Sequence, residues 1–200
     1  MPSRGGVARA LPRKCSGSID DWSPDGFSVL CKPSFTSGTR LVLQNVDSGV
    51  ETPFLQHPKY SLTAARFSHD GRWVSFQTVV SETARQIFVA PVRDGVAADE
   101  KEWIPITDGA NMDRMAVWSR DNNRLYFLSE RDGFRCIWGQ ALDPLTKRPA
   151  GPPFAYHLHQ ARRSLMSADE VRKIGLSVAG DRIIFSMAEA TGNIWLTQIP

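Results

Sequence analysis

Arg66-Phe67-Ser68-His69-Asp70-Gly71-Arg72-Trp73-Val74-Ser75-Phe76-Gln77 is the stretch that decides how this chain reads. A short run ending in an aromatic and a serine meets a polar turn closed by Gly71, and an alternating apolar run resumes at Trp73. Two β-prone runs around such a turn predict a hairpin, because side chains at period two share one face of a strand. Two further runs follow: Gln86-Ile87-Phe88-Val89, ended by Arg93-Asp94-Gly95, and Trp103-Ile104-Pro105-Ile106-Thr107, ended by Asp108-Gly109. The stretch from Ser61 to Thr107 is therefore expected to form a four-stranded antiparallel meander. One such sheet leaves too much apolar surface wet to stand alone, so it needs neighbours of its own kind.

The chain supplies them. Trp22-Ser23-Pro24-Asp25-Gly26 leads into Phe27-Ser28-Val29-Leu30-Cys31, Trp118-Ser119-Arg120-Asp121-Asn122 into Arg124-Leu125-Tyr126-Phe127-Leu128, and Leu176-Ser177-Val178-Ala179-Gly180 into Arg182-Ile183-Ile184-Phe185-Ser186. The turn serines stand at 23, 68, 119 and 177, so the same unit recurs four times at intervals of 45, 51 and 58 residues. Turn chemistry explains the residue types. Pro presets φ, Asp accepts neighbouring backbone N–H groups, and Gly or Asn tolerates a left-handed backbone. Ser23, Asp25, Gly26, Ser68, Asp70, Gly71, Ser119 and Asp121 are accordingly read as structural turn residues, and the recurring aspartates as turn caps and not catalytic carboxylates.

Third strands are expected at residues 40–43, 86–89, 136–138 and 193–196, and outer strands at 51–55, 103–107 and 154–158, where Pro53 and Pro105 suit an edge that needs no N–H. Trp22, Phe67 and Trp118 hold one repeat position and Phe88, Trp138 and Trp195 another, and both sets are expected to fill the space between stacked sheets. The blades then run at about 19–56, 62–108, 113–158 and 172–199, after a basic tail of residues 1–18 with a possible orphan strand at Val7–Leu11. Residues 159–173 read as an insertion, with Ser167-Ala168-Asp169-Glu170 spaced as a capping box. If Val7–Leu11 paired beside 193–199, four blades would close a small ring. The preferred expectation is an open arc or a fragment of a larger propeller, since propellers have four to eight blades.

These residues resemble the WD-like propeller repeat of the TolB type, whose mark is an aromatic-Ser-Pro-Asp-Gly turn before an apolar strand. Trp22 to Gly26 matches in full, Phe67 to Gly71 in all but Pro, and Trp118 to Asn122 less closely; Ser129-Glu130-Arg131-Asp132-Gly133 before Ile137-Trp138 is similar to the family's second turn and third strand. The resemblance covers about residues 19–199 and implies an all-β fold. Bacterial arrays of this kind occur as free periplasmic proteins, as C-terminal parts of serine/threonine kinases or winged-helix regulators, and as propellers of prolyl-oligopeptidase-type enzymes. Gly192-Asn193-Ile194-Trp195-Leu196 is most similar to the ending of the regulator-associated arrays.

Composition narrows the function classes. Hydrophobic residues make up 42% of the 200, enough for a buried core. The net charge of +3 comes from the tail: setting aside Arg4, Arg9, Arg13 and Lys14 leaves 20 basic against 21 acidic residues, so nucleic acid is not the expected partner. Every apolar run is interrupted well short of a membrane span, and Val7-Ala8-Arg9-Ala10-Leu11 is too short for the core of a signal peptide, which makes a cytoplasmic location the default. Three cysteines, Cys15, Cys31 and Cys136, are an odd number without metal spacing, which argues against a disulfide framework and for Cys31 and Cys136 as core hydrophobes.

No Gly-x-Ser-x-Gly elbow, kinase signature or phosphate-binding glycine loop occurs. His157 and His159 could begin a metal site but lack a third ligand nearby, while His57 and His69 read as loop and turn residues. The expectation is a non-catalytic propeller without cofactor or metal that binds a protein or peptide, and the alternative is the propeller of a hydrolase whose catalytic domain lies elsewhere. The loops at 56–61, 107–114 and 159–173, with those at 32–39, 78–85 and 129–134, should share one face, where Tyr60, Arg114 and Arg131 are the candidate partner-binding residues.

Overall fold

Alternate residues of each central strand face opposite ways, and in this chain both ways are apolar. Val74 and Phe76 are buried toward one neighbour, with Leu30, Leu41 and Phe54, while Ile87 and Val89 of the adjoining strand are buried toward the other, with Trp118, Leu125 and Phe127. Tyr126 and Leu128, one residue out of phase with Leu125 and Phe127, pack with Leu176, Val178 and Ile183. Sheets buried on both faces have to stack, and the period of two settles which residue goes to which layer.

The computed structural model describes residues 15, 17–33, 39–133, 135–157, 163–165 and 176–189. The first sheet has β1 (Ser18–Trp22), β2 (Ser28–Lys32), β3 (Arg40–Asn45) and β4 (Glu51–Gln56) in sequential order. In the second, β5 (Leu62–Phe67), β6 (Trp73–Val79) and β7 (Arg85–Arg93) are followed by β8 (Val96–Ala97) and β9 (Ile104–Pro105), both paired with β7. The third has β10 (Arg114–Trp118), β11 (Arg124–Ser129), β12 (Cys136–Ala141) and β13 (Phe154–His157). Beyond it, β14 (Arg163–Leu165) pairs with a late strand, β15 (Ser177–Ala179) forms a hairpin with β16 (Arg182–Ile184), and β17 (Met187–Glu189) is the partner of β14. All of these pairings are antiparallel. One 3-10 turn, Glu100–Glu102, is the helical content of the described residues, in which no helix is long and apolar enough to cross a membrane.

The first strands of successive sheets lie against one another, β1 with β5, β5 with β10 and β10 with β15, so they are the inner strands of a radial stack. Each of β1, β5 and β10 shifts register at its centre, and Ala64 and Met115 take left-handed φ values of 51° and 58° there. A bulge of this kind bends the strand and aims its backbone at the next sheet. Pro53 and Pro105 are exposed on outer strands. Among the described residues no ladder joins the last hairpin to the first sheet, and the stack is an open arc.

Several expectations need correction. Trp22 was expected in the core with Phe67 and Trp118, yet it is 52% exposed while Trp118 is 3% exposed. The position reaches back toward the preceding sheet, as Phe67 does to Phe54 at 5.2 Å and the Trp118 Nε1–H to the Arg66 carbonyl at 3.1 Å. Among the described residues no sheet precedes the first for Trp22 to reach. Within the expected insertion 159–173, Arg163–Leu165 is a strand instead. Cys15 and Cys31 are in bonding contact as a disulfide pair with Cα atoms 6.1 Å apart, and Cys136 is buried with its thiol donating to Asp132 Oδ2 at 3.5 Å. An odd count excludes complete pairing but not one pair. Val7–Leu11, the 167–170 capping box, His159 and the strand at 193–196 lie outside the described residues.

Candidate functional site

The sheet ends carry two kinds of structure. At one end, the three complete turns are built alike. The hydroxyls of Ser23, Ser68 and Ser119 donate to Asp25, Asp70 and Asp121 at 2.6 Å in each case, and accept the N–H of Ser28, Trp73 and Arg124 at 2.9, 3.0 and 2.9 Å. Each carboxylate also accepts an N–H two residues on, from Phe27, Arg72 and Asn123. The turn closes from residue four to residue one, with Gly26, Gly71 and Asn122 at φ of 77°, 70° and 58°. Glycine and asparagine adopt that backbone angle at least cost.

Hydrogen bonds to the ionised form hold these carboxyls below the ordinary range. Asp25 and Asp121 owe it first to their serine hydroxyls, and Asp70 is held low by Ser68 and Arg72 although burial pushes it the other way. This arrangement fastens turns. It also ties neighbouring sheets, because Asn122 Oδ1 accepts the His69 N–H at 2.9 Å.

The other end is irregular, and one cluster there holds two of the three residues singled out for binding, Arg114 and Arg131. Arg131 is spent internally: its Nη2 donates to Asp113 Oδ1 at 2.9 Å, its Nε to Ser129 Oγ at 3.0 Å, and its guanidinium lies 4.9 Å from the Trp138 ring centre and 5.3 Å from that of Phe127. Asp113 is fully buried, so this pair pins the strand-linking segment before β10 to the β11–β12 loop. Arg114 joins the same cluster through Glu130 at 3.8 Å, and Arg135 bonds that carboxylate at 2.9 Å. A parallel bridge from Arg85 to Met112 brings in the β6–β7 loop. Loops 78–85 and 107–114 and residues 129–131 are thereby one connected rim.

Tyr60 belongs elsewhere on the molecule's margin. It is 41% exposed and stacks on His57 with ring centres 4.2 Å apart. His57 Nδ1 accepts the N–H groups of Lys59 and Tyr60, which puts the ring proton on Nε2, facing Glu100 at 3.0 Å. Trp103 borders the same ring. The structure therefore brings Arg114 and Arg131 together and sets Tyr60 in a second cluster.

Sequence reasoning missed Asp20 and Asp21. Asp20 Oδ2 accepts the Ala65 N–H at 3.1 Å, Asp21 Oδ2 the Phe67 N–H at 2.9 Å, and Arg66 bonds the Asp20 carbonyl and pairs with Asp21 at 3.5 Å. Burial pushes both carboxyls above the ordinary range, against the bonds that oppose it. They clamp the first inner strand to the second. Their signal in the sequence is an acidic pair beside the first turn, which the other repeats lack. No cluster of three potential metal ligands occurs among the described residues.

No protein-family model and no curated protein matches the chain. Solved structures do. TolB from Acinetobacter baumannii is 18% identical with a TM-score of 0.57, over 84% of this chain and 40% of that one. A puromycin hydrolase is 15% identical with a TM-score of 0.57, over 88% and 30%. Prolyl oligopeptidase B from Galerina marginata is 14% identical with a TM-score of 0.53, over 76% of this chain and 22% of that one. The chain thus spans less than half the length of each of these neighbours. Similarity at this level of identity concerns architecture, and the architecture agrees with the stacked meanders described above: the chain has a TolB-like β-propeller fold.

Proposed function

We propose that this chain is a non-catalytic propeller module that binds a protein or peptide, as the sensory or scaffold part of a longer bacterial regulator or serine/threonine kinase. The observation that carries the reading is the rim in which loops of the second and third sheets are cross-braced by Arg131–Asp113 and by the Arg85–Met112 bridge. Loops held to one another lose less freedom on binding than loose ones, and a partner meets several at once. In this reading Tyr60 offers exposed aromatic area, while Arg114 and Arg131 keep the rim in shape for the partner and contribute their remaining edges to it.

A second reading, the propeller of a prolyl-oligopeptidase-type hydrolase, draws on the similarity to a puromycin hydrolase and a prolyl oligopeptidase. Site-specific photo-crosslinking in the source cell tests both. A photoreactive residue at position 60 should capture a defined partner that one at Leu145, exposed in the turn between β12 and β13, does not. Capture of a catalytic hydrolase domain would favour the second reading, and equal capture at both positions would overturn the first.

A further inference from the structure

We propose that a cleft between the third sheet and the β15–β16 hairpin binds an acidic peptide segment carrying a large apolar side chain. The cleft lies at the turn end of the stack, away from the braced rim, so the proposal goes beyond the reading above and does not depend on it. Its volume, about 630 Å³, is in the range of ligand sites.

The floor is apolar. Tyr126, Val178 and Ile183 line it, and all three belong to the core cluster that seats the hairpin on the third sheet. Tyr156 is 52% exposed and stands edge-on to Tyr126 with ring centres 5.2 Å apart, which leaves a second aromatic surface open to an incoming ring.

The rim is cationic. Arg120 and Arg124 are exposed, and neither guanidinium makes a hydrogen bond or ion pair among the described residues. Arg182 and Asp181, 3.9 Å apart and both exposed, offset each other. Asp121 also lies here, but its carboxylate is turned into the turn, accepting from Ser119 and Asn123. Two exposed guanidinia above an apolar floor, of which only Arg124 is near enough to Asp121 to act on its carboxylate, fit a ligand with carboxylates outside and an apolar group inside. A bare phosphate would leave the floor wet, whereas a segment such as Glu-Phe-Glu uses both surfaces.

Fluorescence anisotropy with the full 200-residue chain and labelled Glu-Phe-Glu-Glu-Phe-Glu tests this. Saturable binding is expected, weakened about tenfold by the double variant Arg120→Glu/Arg124→Glu and by Tyr156→Ala, unaffected by Tyr60→Ala, and absent for Lys-Phe-Lys-Lys-Phe-Lys. Both arginines are exposed, so the double variant should keep the wild-type circular dichroism spectrum even if Tyr156→Ala does not fold. Absence of saturable binding, or binding indifferent to the double variant, would overturn the proposal. Displacement by inorganic phosphate at constant ionic strength would overturn it in favour of a small-anion site. A wild-type dimer in sedimentation that the double variant dissociates would overturn it in favour of a contact between two copies.

Discussion

Trp118 and Trp22 occupy the same repeat position, four residues before the left-handed residue of their turns, and meet opposite surroundings. At the joint between the second and third sheets Trp118 is 3% exposed, lies among Ile87, Val89 and Phe127, and donates to the Arg66 carbonyl. At the inner margin of the first sheet Trp22 is 52% exposed, and Ile19 and Phe27 of the same region are exposed at 49% and 61%, although Val29, Cys31 and Val42 further along that sheet are buried. The turns beside the two tryptophans are nearly superimposable in their bonds. What differs is the neighbour. In a radial stack a residue's energetic weight is set by the adjacent sheet, so identical local sequence can be core in one repeat and surface in another.

Trp118→Ala should therefore have the largest effect, a loss of about 3–5 kcal/mol in denaturant titration, since it removes a buried aromatic and one of the hydrogen bonds to the Arg66 carbonyl, leaving the one from the Ser75 hydroxyl. Trp118→Phe keeps most of the packing and drops the Nε1 donor, so a cost of about 1 kcal/mol would isolate the cross-sheet bond. If Trp118→Ala cost no more than a surface substitution, the joint would not be the source of the stack's cohesion.

Next come the turns, where the two regions should agree. Ser119→Ala and Ser23→Ala each delete a hydroxyl that both donates to an aspartate and accepts a backbone N–H, at a cost of about 1–2 kcal/mol apiece. Ser23 and Ser119 are about equally buried, so a large difference between them would show that the turns also depend on the neighbouring sheet.

These outcomes bear on what could be read in advance. The turns were legible because Ser, Asp and Gly act on backbone groups within five residues, and the strands because their apolar period is two. The exposure of Trp22 was not legible, since nothing near it in sequence says whether another sheet stands against it. Arg131 reads as an exposed loop residue, yet its partners Asp113, Phe127 and Trp138 come from three different elements. The β14–β17 pairing joins strands separated by a whole hairpin, and the Cys15–Cys31 pair depends on the path of the chain before β1. Each miss is a contact between segments whose proximity no local pattern encodes.

A smaller effect follows from acid. Asp25, Asp70 and Asp121 have carboxyls held below their unfolded value of about 3.9, so they stabilise the fold above that pH and lose the contribution as pH falls through their folded values. Asp20 and Asp21 are raised and act in the opposite sense, favouring the fold at low pH and losing that preference as pH rises through their folded values. As pH falls below about 4 the melting temperature should fall, and Asp121→Asn should flatten part of that slope while Asp21→Asn should not. A slope untouched by Asp121→Asn would place the acid sensitivity outside the turns.

Trp22→Ala should have the smallest effect on stability, under about 0.5 kcal/mol, because a half-exposed side chain has little burial to lose. The substitution should still be visible in another measurement. Trp22 is a large apolar group left facing solvent, so its removal should reduce the binding of an apolar dye and any self-association of the chain, whereas Trp118→Ala should raise dye binding by loosening the joint. The opposite signs at one repeat position make the pair of variants a direct probe of the arc. If Trp22→Ala cost several kcal/mol and left dye binding unchanged, the outer side of the first sheet would be covered in solution, and the openness of the arc at that side would have to be given up.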